Sequence, residues 1–320
     1  MTSSPGTTDN AALCMSLPAD WPKILRMRTA EPPTGGDAAA WGGWLSDRYI
    51  PTHNGKLFRE QVERTASTCR GIRRRWVGVD APAGFGKTEV VSQWAMRLPP
   101  VEPVNSDFDP VHIIWIEVDG KMQGAGLFAS ILRFLGFDVP TSSTESALRD
   151  QLIGLLPRLG TRYLVIDDAH MLRLGKSRLM ADTCRSILRL PVTSIFVGTD
   201  FDNSALLGKA VGTGAQASDQ MRRRHDKALL TPLMPGDPMQ ERAFTDLVAD
   251  FRRLYLMSPG SSAPVLGDSR LVGDLHLACG GHAGPLFECL KRAAAAALLD
   301  DGMLTAAHIQ AYWPDLQVAA

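Results

Sequence analysis

A chain of 320 residues, 45% apolar and 21% charged, has ample material for a buried core, which excludes a predominantly disordered protein. Its 34 Lys and Arg balance 34 Asp and Glu, so there is no molecule-wide basic field and any nucleic-acid contact must come from a local patch. Five scattered cysteines (Cys14, Cys69, Cys184, Cys279, Cys289) form no CxxC pair, no basic-then-apolar leader opens the chain, and no run of about 18 apolar residues occurs; the expectation is a reduced, cytoplasmic protein with no disulfide framework, no zinc site and no membrane partner.

Residues 1–45, with EPPTGGDAAA near their end, show no helical or strand period and read as a flexible N-terminal extension. Its Trp21, Trp41 and Trp44 are costly to leave in water, so part of it is suited to docking on a surface or a neighbouring subunit. From Lys56 the segment KLFREQVERTASTCRGI suits an amphipathic helix that leads into the strand WVGVD. VHIIWIEVD (111–119), RYLVIDD (162–168) and TSIFVGTD (193–200) are short apolar runs rich in β-branched residues and closed by polar ones, as buried parallel strands are, and LLTPL reads as a last sheet element. The stretches between them carry apolar residues at helical spacing, so residues 46–232 are expected to form an α/β domain with a doubly wound parallel sheet. Beyond Leu233 only helical patterns remain (AFTDLVADFRRLYLM, SRLVGDLHLACGG, PLFECLKRAAAAALLDDG, TAAHIQAYW), which makes 233–320 a small α-helical lid domain.

Ala81-Pro82-Ala83-Gly84-Phe85-Gly86-Lys87-Thr88 follows a strand and opens a helix, the setting that a phosphate-binding loop needs. Backbone N–H groups of Ala83 to Gly86 and the helix N-terminus can face ATP phosphates, Lys87 can neutralise their oxygens, and the Thr88 hydroxyl can ligate Mg2+. Ala81 departs from the GxxxxGK[ST] pattern at its first glycine, while the phosphate-contacting half is intact. Leu164-Val165-Ile166-Asp167-Asp168 is an apolar strand ending in two acids, like a Walker B motif: Asp167 for the metal, Asp168 to orient or activate the attacking water. Many such ATPases have Glu in the second place; the shorter Asp predicts slow or strictly regulated hydrolysis.

Thr199, closing SIFVGTD, stands where a third polar residue would touch the γ-phosphate or the water, or else caps the next helix. Downstream, Arg222, Arg223 and Arg224 precede the last sheet element; an arginine there can reach a nucleotide held by the adjacent subunit, the alternative being a solvated basic run.

Together, APAGFGKT, VDGKMQGAGLFASILRFLGF, YLVIDDAHML, SIFVGTDFDNSALL, DQMRRRHDKALLTPL and GGHAGPLFECLKRAAAAALLDDGMLTAAHI resemble the transposon-encoded AAA+ regulators of the TniB and TnsC type and, more distantly, the IstB helper ATPases. The resemblance runs from about Arg48 to Tyr312 and implies an AAA+ P-loop ATPase that assembles as a ring or helical filament on duplex DNA without sequence preference. It further implies hand-over of the marked target to a transposase, with a TniQ-type adaptor as a further partner. It makes Arg224 the finger candidate, with Arg223 behind it. It also gives Lys121, Arg173, Lys176 and Arg178 a place lining the assembly's pore against DNA phosphates, exposed charges for solubility being the alternative. Two other functions share these features: a nucleotide-gated protein-interaction switch in signalling or defence, and a replication-initiator or helicase-loader ATPase.

Overall fold

A computed structural model describes residues 30–68, 74–99, 110–118, 122, 124–172, 178–202 and 221–313, with the side chains of 178–182 left aside. The described chain divides into two compact units, one of residues 57–83 and 87–230, the other of residues 30–56, 84–86 and 231–313.

In the first unit, β1 (Trp76–Asp80), β2 (Ile113–Glu117), β3 (Tyr163–Asp167), β4 (Thr193–Gly198) and β5 (His225–Leu229) form one sheet in the order β2-β3-β4-β1-β5. All four pairings are parallel. The central strands β1 and β4 are buried along their length, which is why their sequences show no alternation of polar and apolar residues. In register, Asp80 stands between Gly198 and Leu229, so the polar residues that close β1, β3 and β4 gather at one sheet edge. α3 (Lys87–Met96), α4 (Gly124–Phe134), α5 (Glu145–Arg158) and α6 (Arg178–Ile187) supply the crossovers. Leu127, Phe128 and Ile131 of α4 and Leu152 and Leu156 of α5 pack with Trp76, Ile114, Ile166 and Phe196 in the core.

The last strand falls four residues earlier than LLTPL: it is HDKAL, His225–Leu229. Pro232 has no N–H to give a ladder, whereas Trp76 to Asp80 pair with His225 to Leu229 residue by residue.

The second unit is helical: α1 (Ala38–Ser46), α7 (Pro238–Tyr255), α8 (Ser269–Ala278), α9 (Ala283–Asp300) and α10 (Ala306–Tyr312).

 

Between α1 and β1 runs α2 (His53–Thr68). Asp37, Asp237 and Asp268 cap α1, α7 and α8 by accepting first-turn N–H groups, and Thr305 and His308 form a reciprocal capping box at Ala306. The expected extension through residue 45 therefore contains a folded part. Helix α1 crosses that boundary, and Trp41, Trp44 and Leu45 are buried in one core with Phe251, Leu290 and Ala294. Two indoles bury large apolar surfaces there, and each keeps its N–H satisfied, Trp41 on the Gly35 carbonyl at 2.7 Å and Trp44 on the Ala30 carbonyl at 3.0 Å. Among the described residues no helix is long and apolar enough to cross a membrane.

Candidate nucleotide site

The loop between β1 and α3 makes its turn with Gly84 at φ 78° and Gly86 at φ 80°. No atom lies within 4 Å of where a Cβ would stand at either position, so it is backbone conformation and not crowding that asks for glycine. Lys87 and Thr88 open α3 at the end of this turn. Lys87 Nζ donates to the Ala81 and Pro82 carbonyls, both at 2.8 Å, and to Thr199 Oγ1 at 3.1 Å. Burial lowers the Lys87 pKa, and the Asp167, Asp168 and Asp80 carboxylates work in the opposite direction. In the second unit the Phe85 ring meets the His282 imidazole edge-on with centroids 3.7 Å apart, and a side chain at Gly284 would run into the Gly84 carbonyl. On α9, Lys291 donates to the Ser46 carbonyl and Arg292 pairs with Glu288.

Thr88 Oγ1 donates to Asp167 Oδ2 at 3.2 Å, which joins the start of α3 to the end of β3. Burial raises the Asp167 pKa, against a hydrogen bond from the Asp168 N–H at 2.9 Å to Oδ1. One carboxylate and one hydroxyl are hard oxygen donors of the kind that magnesium takes together with phosphate oxygens, so the residues present fit this ion. Asp168 has a left-handed backbone, φ 51°, and a half-exposed side chain 3.9 Å from His170. Thr199 directly follows β4, so Lys87, Thr88, Asp167, Asp168 and Thr199 share the edge at which the strands end. That edge is where ligands of parallel α/β sheets bind.

The arginine turn lies at the other edge, where the strands begin. Trp76, first residue of β1, donates its backbone N–H to the Arg224 carbonyl at 2.9 Å and its indole N–H to the Met221 carbonyl at 2.9 Å. The His225 ring stacks on the same indole with centroids 4.2 Å apart. Burial, with Lys227 nearby, pushes the His225 pKa down to about 4. Arg223 is exposed and Arg224 half-buried. Arg75, one of the basic residues before β1, is committed to Asp226, its Nε lying 2.9 Å from both carboxylate oxygens. Of the residues expected to touch DNA, Lys121, Arg173 and Lys176 lie outside the described residues, and Arg178 is described only as the backbone start of α6.

Asp80, the buried acid that ends β1, stands outside the sequence motifs, although a carboxylate closing an apolar strand beside a glycine loop is a readable sign. The roles of Trp76 and His225 depend on contacts far apart in the chain, which no local pattern carries.

The profile of the family described as "Bacterial TniB protein" matches residues 44–207, just over half of the chain. The chain belongs to the TniB family. Among curated proteins this TniB chain is similar to a crossover junction endodeoxyribonuclease RuvC of Gluconacetobacter diazotrophicus, 26% identical over 113 residues, which are 35% of this chain and 64% of that protein. It thus spans less than two thirds of the length of that curated relative. Among solved structures it is similar to the Aeropyrum pernix ORC2 protein in ADPNP-ADP complexes, at 14% identity, TM-score 0.57, covering 86% of this chain and 72% of that one. It is also similar to Aeropyrum pernix ORC1 in complex with DNA, at 17% identity, TM-score 0.54, covering 84% of this chain and 66% of that one. These likenesses agree with the five-stranded parallel sheet: the TniB chain has the AAA+ P-loop NTPase fold.

Proposed function

We propose that this TniB protein is an ATP-dependent regulator of DNA transposition, which assembles on target duplex DNA and recruits or activates a transposase. The observation that carries the reading is the gathering of Lys87, Thr88, Asp167 and Thr199 at one sheet edge, with the arginine turn at the opposite edge, in a chain of this family. Ala83 to Gly86 offer N–H groups to the phosphates, Lys87 neutralises them, and Thr88 and Asp167 hold magnesium. Magnesium supplies positive charge that offsets the charge on the β- and γ-phosphates. Asp168 orients the attacking water, and Thr199 positions the γ-phosphate or that water.

Trp76 and Asp80 bracket a five-residue strand, so about 13 Å separates its two ends at the rise of a β-strand. Arg224, held at the far end, is suited to the nucleotide of an adjacent copy and not to its own, with Arg223 beside it. A homo-oligomer follows, as a ring or a filament. A protein with balanced charge gains DNA affinity by repeating a few phosphate contacts along such an assembly. Lys121, Arg173, Lys176 and Arg178 are the proposed contacts, and a transposase and a TniQ-type adaptor the proposed partners. The fold's likeness to ORC1, solved in complex with DNA, supports the DNA reading.

The test is anisotropy of a labelled duplex of arbitrary sequence, titrated in an ATP analogue, ADP or no nucleotide. Cooperative binding that requires the analogue and is lost in Lys87→Ala is the expected result. Absence of binding in every state at low salt would discard the DNA role and leave a nucleotide-gated protein switch.

A further inference from the structure

Asp80 is the last residue of β1 and is only 9% exposed. Its Oδ1 accepts the Asp200 N–H at 2.8 Å and its Oδ2 the Phe201 N–H at 3.3 Å. These two amides belong to the turn that follows Thr199. The turn is unusual in its backbone: Asp200 takes φ 54°, the left-handed region that non-glycine residues seldom adopt. Its other side is held by Phe201, fully buried, whose ring fills the space where a Cβ on Gly198 would stand and meets the Trp76 indole edge-on at 6.1 Å. Lys227 Nζ, bonded to Asp202 at 2.7 Å, lies 4.0 Å from Asp80 Oδ2. Thr199 is thus the single residue between Gly198, fixed in the sheet, and a bend gripped by a buried carboxylate.

We infer that Asp80 is a positioning residue for the reaction: by accepting both amides it sets the Thr199 hydroxyl against Lys87. The inference rests on the ATPase reading above. A carboxylate suits this place because it offers acceptors to both N–H groups and donates nothing, and a charged acceptor makes the stronger bonds. Asp80→Asn keeps the size but turns one acceptor into a donor facing a donor. The Thr199 hydroxyl would then lose its fixed distance to Lys87, while the phosphate-facing amides of the loop stay in place. Displacements of about 1 Å at a reacting centre cost up to about 100-fold in rate.

The experiment compares wild type, Asp80→Asn, Thr199→Ala and the double variant, all full length, for affinity toward a fluorescent ATP analogue and for steady-state ATP turnover. The expected result is analogue affinity in Asp80→Asn within about threefold of wild type, turnover lowered by at least about tenfold, and a double variant no slower than the slower single one. Wild-type turnover in Asp80→Asn, additive losses in the double variant, or equal losses of binding and turnover would overturn it. A readout that needs no variant is hydrogen exchange of the wild-type protein. The Asp200 and Phe201 amides should be protected as strand amides are, and exchange at the rate of an open loop would overturn the inference. Wild type that turns over no ATP would instead remove the ATPase reading itself, and this inference with it.

Discussion

Asp168 illustrates how one backbone angle constrains one side chain. At φ 51° the residue is left-handed, a conformation that Asp tolerates better than Glu because its short side chain can bond locally. The Asp that departs from the commoner Glu is therefore matched to its backbone. Asp168→Asn keeps that tolerance and removes only the charge, so ATP affinity should hold while turnover falls by about 100-fold or more, read by steady-state hydrolysis beside analogue binding. The two charged partners of the site also define a pH window. Asp167 has a raised pKa through burial, so its charge is lost earlier than usual as pH falls. Lys87 has a lowered pKa through burial, so its charge is lost earlier than usual as pH rises. Binding of Mg-ATP should accordingly weaken at both ends, sooner on acidification than an ordinary carboxylate would cause and sooner on alkalinisation than an ordinary lysine would cause; an affinity that is flat at both ends would contradict this.

At the scale of elements, β1, β3 and β4 were legible because nothing in them competes: short β-branched runs, buried on both faces, ending in polar residues. β5 was not. HDKAL has one apolar side chain buried, Ala228, and its polar residues are accounted for by tertiary partners that no local pattern announces, Asp226 with Arg75 and Thr65, Lys227 with Asp202. The phosphate loop was legible for the opposite reason, since its chemistry demands particular residues at fixed spacing. The distances that join Thr199 to Lys87 were not, because they depend on strand order in the sheet. The same edge strand carries a prediction. His225 is neutral when folded down to about pH 4, whereas an unfolded histidine takes up its proton near its ordinary value of 6.5. As pH falls through that interval the unfolded chain binds the extra proton, so stability is lost on acidification. In His225→Gln the fall in melting temperature over this interval should be shallower than in wild type, as followed by thermal denaturation.

On the scale of the whole molecule, the change from alternating strand and helix patterns to helical ones alone indicated two folded parts, but it could not show that residues 38–46 belong with the helices more than 190 positions later. Gly42 lets α1 approach α9 until a Cβ at this position would touch Ala295 at 3.4 Å, and Trp41 is 5% exposed. Trp41→Ala should lower the stability of the helical unit by about 3 kcal/mol, measured by chemical denaturation, through loss of a large buried side chain. Removal of residues 1–46 should destabilise it similarly. A terminal arm acting only as a tether would leave it unchanged.

Placing the phosphate loop and the arginine turn at opposite ends of one strand also gives the molecule a polarity. With the proposed finger role for Arg224, each copy would offer an acceptor at one face and a donor at the other, so copies would join head to tail by unlike surfaces and not by a two-fold pairing. A closed ring would leave every hydrolytic centre complete. An open row would always leave one loop at its leading end without an arginine, so ATP held there would outlast that in the interior, and the row would shorten from a defined end.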